Sequence, residues 1–265
     1  MKYCKRCKAT AANHWLFCTK CGYYIGDDLG ETETEYECDK CGIKFFGGVF
    51  CPSCGSNVTD GDNFLFGENA IDHKDLKAGM QVSIGSYPFR YYDEKLPIEW
   101  IILAREPGKA LLISKYAVEG RRYHEASGCI WEHSEMREWL NTRFADDAFT
   151  NEEYAHIATT VQNDGINPPC EDKVFLLSES EFFKYISSSP LGSRIESLGG
   201  CRPTEYAQRN GARRGGMGTC QWWLRKNCKN EYDGKCIDRV NKIKPYTQTT
   251  IKSGVRPVIW VKLDN

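Results

Sequence analysis

Four Cys-x-x-Cys pairs stand in the first 54 residues: Cys4/Cys7, Cys18/Cys21, Cys38/Cys41 and Cys51/Cys54. Two intervening residues let both thiolates of a pair turn toward one centre, and two pairs supply the four sulfurs of a closed tetrahedral zinc site. Ten residues separate Cys7 from Cys18, nine separate Cys41 from Cys51, and sixteen separate the two halves. The pattern therefore reads as two zinc ribbons in tandem, each holding one structural zinc ion. Glycine follows Cys21, Cys41 and Cys54, where a positive φ brings backbone N–H groups toward thiolate sulfur. Gly47-Gly48 divides Ile43–Phe46 from Val49–Phe50 as the turn of a short β-hairpin would. Disulfides or a redox Cys-x-x-Cys are the competing chemistry, but a redox motif is not expected four times in register. A filled tetrahedron leaves zinc no open position for water, so these cysteines are expected to build structure and not to catalyse. Segments of roughly 20 residues hide too little apolar surface to fold unaided, which leaves the metal to stabilise them.

Other residues invite a chemical role further along. Arg209, Arg213 and Arg214, followed by Arg225, Lys226 and Lys229, form a basic cluster suited to anions. They lie in the last third, residues 182–265, which carries sixteen basic residues against six acidic, while the net charge of the whole chain is −1. The same asymmetry is met by charges that compensate inside the fold, since residues 60–181 carry twelve basic and twenty-three acidic. Trp222 and Trp223 could stack on a sugar or base, but neighbours in a strand face opposite sides, so at least one is expected in the core. Trp223, Arg225 and Asn227 would converge if a small-ligand pocket formed. Arg225 and Arg256 read either as ligand-reaching or as braces paired inside the fold. His124 and His133 flank Cys129, but nothing marks an orienting carboxylate or an oxyanion donor for a Cys/His nucleophile. Asn227, Asn230, Glu231, Asp233 and Asp238 offer oxygens without a recognisable calcium motif.

The elements that would position these groups are read from periodicity and punctuation. Gln81–Ser86 alternates like a strand, and Pro97–Arg105 with Lys109–Ser114 predicts a hairpin turned by Glu106-Pro107-Gly108. Ser134 caps a helix over Glu135–Phe144, with Met136, Trp139, Leu140 and Phe144 on one apolar stripe. Thr150/Glu153 and Ser178/Glu181 are capping boxes for two short helices, through Ile157 and over Glu179–Ile186. A further helix spans Thr204–Asn210 and stops at Gly211. Trp222-Trp223-Leu224 and Val255–Leu263 read as buried strands. Strands first, helices in the middle and strands last give an α+β domain. The expected layout is a first ribbon over 1–26, an acidic linker over 27–35, a second ribbon over 36–58, a linker over 59–74, and the α+β domain over 75–265. Within the second linker, Phe64, Leu65 and Phe66 could dock on the α+β domain.

Seven blocks carry a resemblance: Pro97-Ile-Glu-Trp-Ile-Ile-Leu103, Ala110-Leu-Leu-Ile-Ser-Lys-Tyr116, Arg137-Glu-Trp-Leu-Asn141, Lys173-Val-Phe-Leu-Leu-Ser178, Arg202-Pro-Thr-Glu-Tyr-Ala207, Trp222-Trp-Leu-Arg225 and Gly254-Val-Arg-Pro257. In this order they resemble a widespread bacterial and phage domain of unknown function. Its closing strands look like those of the C-type-lectin-like group that includes formylglycine-generating enzymes and phage receptors. The resemblance implies a lectin-like mixed domain whose late loops, here within Gly211–Ser253, form the ligand surface. It implies no reaction: the enzymes of that group bind copper through two closely spaced cysteines, whereas Cys220, Cys228 and Cys236 lie eight apart.

The chain is thus expected to be a non-enzymatic zinc-binding recognition protein, presenting basic loops to a protein or anionic macromolecular ligand. A phage-related nucleic-acid-associated protein is the first alternative, and an enzyme of the formylglycine-generating group the second. Met1-Lys2-Tyr3-Cys4 opens no apolar export segment, and no run approaches a membrane span. With thiolates to keep reduced, the expected compartment is the cytoplasm, away from membranes. Native mass measurement of the reduced chain should find two zinc ions; metal-free protein, or ribbon cysteines cross-linked to one another, would overturn the ribbon reading.

Overall fold

The computed structural model describes residues 2–3, 10–11, 35–37, 44–46, 65–66, 72–92, 95–126, 129–163, 169–187, 201–215, 218–225, 234–238, 242–247 and 249–263. The chain divides into two compact units, Met1–Gly61 and Asp62–Asn265. In the first, β1 (Lys2–Tyr3) pairs antiparallel with β2 (Thr10–Ala11), and β3 (Glu35–Glu37) with β4 (Lys44–Phe46). The described partner of Lys44–Phe46 therefore lies upstream, at the end of the acidic stretch. Val49–Phe50 and all eight Cys-x-x-Cys cysteines lie outside the described residues.

The second unit is α+β. Its first sheet begins with β5 (Gln81–Pro88), β6 (Lys95–Glu106) and β7 (Lys109–Ser114). The predicted hairpin is present, with Gly108 at φ 70° completing its turn. Then come β8 (Glu119–Arg122), α1 (Glu135–Trp139), a π-helical turn over Leu140–Phe144, α2 (Ala145–Ala148) and α3 (Asn151–His156). They are followed by β9 (Thr160–Gln162), β10 (Cys170–Asp172), β11 (Val174–Phe175), α4 (Glu179–Phe182) and α5 (Glu205–Asn210). The last strands are β12 (Trp222–Trp223), β13 (Gly234–Ile237), β14 (Ile243–Thr247), β15 (Lys252–Val255) and β16 (Val258–Lys262). One five-stranded sheet runs β11-β16-β7-β6-β5 and the other β14-β13-β12-β15-β8. Among these described strands, only β12 and β15 pair in parallel.

The capping signals act as read. The side chains of Ser134, Thr150, Ser178 and Thr204 accept backbone N–H groups at the starts of α1, α3, α4 and α5, and both capping boxes close reciprocally. Gly211, at φ 121°, ends α5. Met136, Trp139, Leu140 and Phe144 are buried as their stripe requires.

One expectation needs correcting. Val255–Leu263 is not one strand, because Arg256-Pro257 breaks it into β15 and β16, which belong to different sheets. Proline has no N–H for the ladder, and the chain crosses from one sheet to the other at that point while β7 and β8 cross beside it. Ser114 N–H donates to Pro257 O at 3.0 Å and Arg256 Nε to Ser114 O at 3.0 Å, closing the seam. Within Gly211–Ser253, β13 and β14 extend the second sheet beside the expected strand β12. The segment before residue 75 also joins the core. Leu65 is buried and its N–H donates to Ser83 O at 3.1 Å, while Phe66 stacks on His156 at 4.1 Å.

A polar hub ties the helical layer to this frame. The buried carboxylate of Asp172 accepts from Arg137 Nε at 2.6 Å, Trp131 Nε1 at 2.8 Å and Asn141 Nδ2 at 3.3 Å. One helical turn beyond Arg137, Asn141 Oδ1 accepts from the N–H groups of Lys173 and Val174, and its Nδ2 donates to Val174 O at 2.8 Å. The i, i+4 spacing of Arg137 and Asn141 puts both on one helix face, and the π turn begins where Asn141 is drawn to the strand backbone. Removing one partner of such a buried pair leaves the others uncompensated. Asp172→Ala should lower the unfolding free energy by about 3 kcal/mol, read as a reduced urea midpoint at unchanged slope; a loss under about 1 kcal/mol would show that the hub contributes little.

A candidate arginine–tyrosine binding face

The face is built on a close approach between α5 and β8. A Cβ placed on Gly120 would lie 2.3 Å from Ala212 N and 2.5 Å from Ala207 O. Any larger residue would push the helix off the strand, so glycine there brings α5 down onto the sheet backbone. Ala207 and Ala212, both buried, keep the interface thin.

Next to Gly120 sits Glu119, a carboxylate buried beneath the face. Gly120 N–H donates to its Oε1 at 2.9 Å and Tyr87 OH to its Oε2 at 3.3 Å, and the Asn210 side chain at the end of α5 adds a third hydrogen bond. Burial raises the Glu119 carboxyl above the usual glutamate value, against the pull of those hydrogen bonds and of Arg121. The same burial, with the charge of Glu119, pushes the Tyr87 phenol upward. Strand β5, strand β8 and helix α5 thus meet on one carboxyl group.

Aromatic side chains extend from this base to the surface. Tyr206, on the first turn of α5, receives the docking of the segment after β5 through its N–H to Phe89 O at 2.9 Å, and its ring meets Tyr87 at 6.0 Å and Tyr92 at 6.3 Å. Tyr91 and Tyr92 are 53% and 70% exposed. The guanidinium of Arg209 lies over the Tyr91 ring, 4.5 Å from its centroid, a cation–π geometry that orients the charge while leaving it wet. Just past Gly211, Arg213 and Arg214 are exposed, and Arg214 Nε donates to Gly218 O at 3.2 Å.

Of the residues singled out from the sequence, Arg209, Arg213 and Arg214 therefore fall on one helix end. Trp223 does not join them: it is fully buried, meets Tyr123 edge-on at 5.6 Å and donates from Nε1 to Arg121 O at 2.9 Å. Arg225 is a brace. Its Nη2 pairs with Glu181 Oε2 at 2.8 Å and its Nη1 with Gln162 Oε1. Lys226, Asn227 and Lys229 lie outside the described residues. The aromatic half of the face was missed in the sequence. Tyr91-Tyr92 gave a local signal, an aromatic pair in a strand-to-strand connection, but its partners on α5 are more than a hundred residues away.

The Cys129 segment is not arranged as a thiolate nucleophile. Cys129 is buried, donates to Ile130 O at 3.2 Å, and has its thiol pushed up to about 11 by burial and by Glu135, the reverse of what a thiolate nucleophile needs. His124 Nδ1 faces the N–H of Glu135 at 3.4 Å. Among the described residues no three His, Cys, Asp or Glu side chains converge as a metal ion requires, and no helix is long and apolar enough to cross a membrane.

Comparison with known proteins finds one family: the model described as "Domain of unknown function (DUF6273)" matches residues 107–263. No curated protein and no solved structure matches.

The buried carboxyl gives the face a pH signature. Because the folded state favours protonated Glu119, the stability this contributes is complete below the ordinary glutamate range and is lost as pH rises through the raised value. Glu119→Gln removes the titration while keeping the shape. In thermal unfolding the variant should gain on the wild type as pH rises above about 4.3; a difference constant with pH would show that burial does not raise this group.

Proposed function

We propose that this chain, which belongs to the DUF6273 family, is a non-enzymatic recognition protein whose larger unit binds an anionic macromolecule through the Arg209–Tyr91 face. The observation that carries this reading is the guanidinium of Arg209 held over an exposed tyrosine, with Tyr92 beside it and Arg213 and Arg214 close behind along the chain. Arginine supplies forked donors for phosphate or carboxylate, and a tyrosine ring supplies a flat stacking surface at low entropic cost. Glu119 and Gly120 hold both on a rigid base, so binding needs little reorganisation.

The ribbons complete the reading. Cys4, Cys7, Cys18 and Cys21 would hold one zinc ion and Cys38, Cys41, Cys51 and Cys54 the other, building two small modules for further contacts. A C-type-lectin-like arrangement of the larger unit is supported by the early hairpin and the closing strand sharing a sheet, and by the second sheet assembled mainly from late strands. Exposed tyrosines beside arginines favour single-stranded nucleic acid among anionic partners, since bases stack on aromatic rings without sequence demands.

Fluorescence anisotropy with a labelled single-stranded oligonucleotide, and separately with an acidic polypeptide, tests the proposal. Affinity for the oligonucleotide should fall linearly in log–log salt, by about 0.7 per neutralised phosphate. Arg209→Ala and Arg213→Ala should each weaken binding and flatten that slope by about one contact. Tyr92→Ala should weaken the oligonucleotide more than the polypeptide. Binding of the polypeptide alone would move the partner to protein; no binding of either at low salt would sink the proposal.

A further inference from the structure

We infer that Cys201 and Cys220 are a disulfide-forming pair whose oxidation staples the base of the segment carrying α5 and its arginines. The two residues bracket residues 202–219, which contain Arg209, Arg213 and Arg214. They already close that segment by backbone contact, because Cys220 N–H donates to Cys201 O at 2.8 Å. Their side chains also meet: the Cys220 thiol hydrogen-bonds the Cys201 sulfur. Neither is in a disulfide, and they are 2% and 1% exposed. Space for the contact comes from Gly254, where a Cβ would sit 3.0 Å from Cys220 Sγ and 2.9 Å from Ala117 Cβ. A backbone-linked pair with touching thiols is close to the separation that a disulfide spans, so little movement is needed to join them.

The surroundings favour reaction at Cys201. Burial alone would push its thiol up, but the Cys220 hydrogen bond, the Arg256 guanidinium and the Ala117 N–H bring it below the ordinary cysteine value. With a small disulfide such as oxidised glutathione as oxidant, the Cys201 thiolate attacks one sulfur, breaks the oxidant's S–S bond and releases one thiolate. Cys220 then gives up its proton and attacks the Cys201 sulfur of the mixed disulfide, releasing the second thiolate. Two protein thiols are oxidised to one disulfide while the oxidant's disulfide is reduced to two thiols. Because both sulfurs are buried, oxidant enters only when the segment opens locally, so the reaction is expected to be slow and to accelerate in mild denaturant.

Incubation of the full-length, zinc-loaded chain with oxidised glutathione, followed by acid quench, alkylation and peptide mapping by mass spectrometry, tests the pair. The expected product is a peptide cross-link between Cys201 and Cys220, lighter than the two reduced peptides by roughly 2 Da for the two hydrogens lost. Cys220→Ser should trap Cys201 as its mixed disulfide with glutathione. If that variant does not fold, the wild-type map decides alone. Recovery of Cys201 and Cys220 as alkylated thiols after other cysteines of the same sample have reacted, or their pairing with different cysteines, would overturn the inference. None of these outcomes depends on whether an anionic ligand binds.

Discussion

The larger unit depends on a buried positive charge at the seam between its two sheets. Arg256 is 2% exposed, donates to Ser114 O, and lies over the Trp222 ring at 4.9 Å. A charge so desolvated is tolerated only where carbonyl, π face and polarizable sulfur share it, and those groups come from β7, β12 and the segment that begins at Cys201. The same residue sits next to the proline that ends one ladder and begins the other. Sheet crossing, the position of β12 and the electrostatics of Cys201 therefore depend on one guanidinium.

Around that seam the chain commits its polar residues to bracing. Arg137, Asn141 and Asp172 lock the helical layer to β10 and β11. Arg225, just past β12, ties Gln162 at the end of β9 to Glu181 near the start of α4, with Glu181 also closing its capping box. Each of these side chains has the chemistry of a ligand contact, and each is consumed inside the fold. Short helices and strands have few backbone hydrogen bonds of their own, and side-chain bridges of this kind set their relative positions. Arg209 and Tyr91, by contrast, stay in water.

That surface is assembled from pieces distant along the chain. Gly120 lets α5 reach the sheet, Glu119 joins Tyr87 to Asn210, and Tyr206 receives the turn that carries Tyr91 and Tyr92. The resulting face is stiff beneath and solvated above, the combination in which a cation over an aromatic ring can meet an anion without first being ordered.

Local rules were legible in the residues themselves. The caps at Ser134, Thr150, Ser178 and Thr204, the stop at Gly211, the β6–β7 hairpin and the apolar stripe from Met136 to Phe144 are each set within a few positions, because capping and periodicity act over one or two turns. The grouping of Arg209, Arg213 and Arg214 was legible for the same reason. The burial of the Trp222-Trp223 strand was legible too, and Arg225 was legible as one of two readings, brace or ligand contact; the break at Arg256-Pro257, the strands β13 and β14, and the choice of Glu181 as the partner of Arg225 were not. Each depends on which distant segment lies opposite, and side-chain identity does not carry that information. A buried arginine and a ligand-seeking one have the same covalent structure; only the three-dimensional packing decides whether a carboxylate, a carbonyl or water stands in front of it.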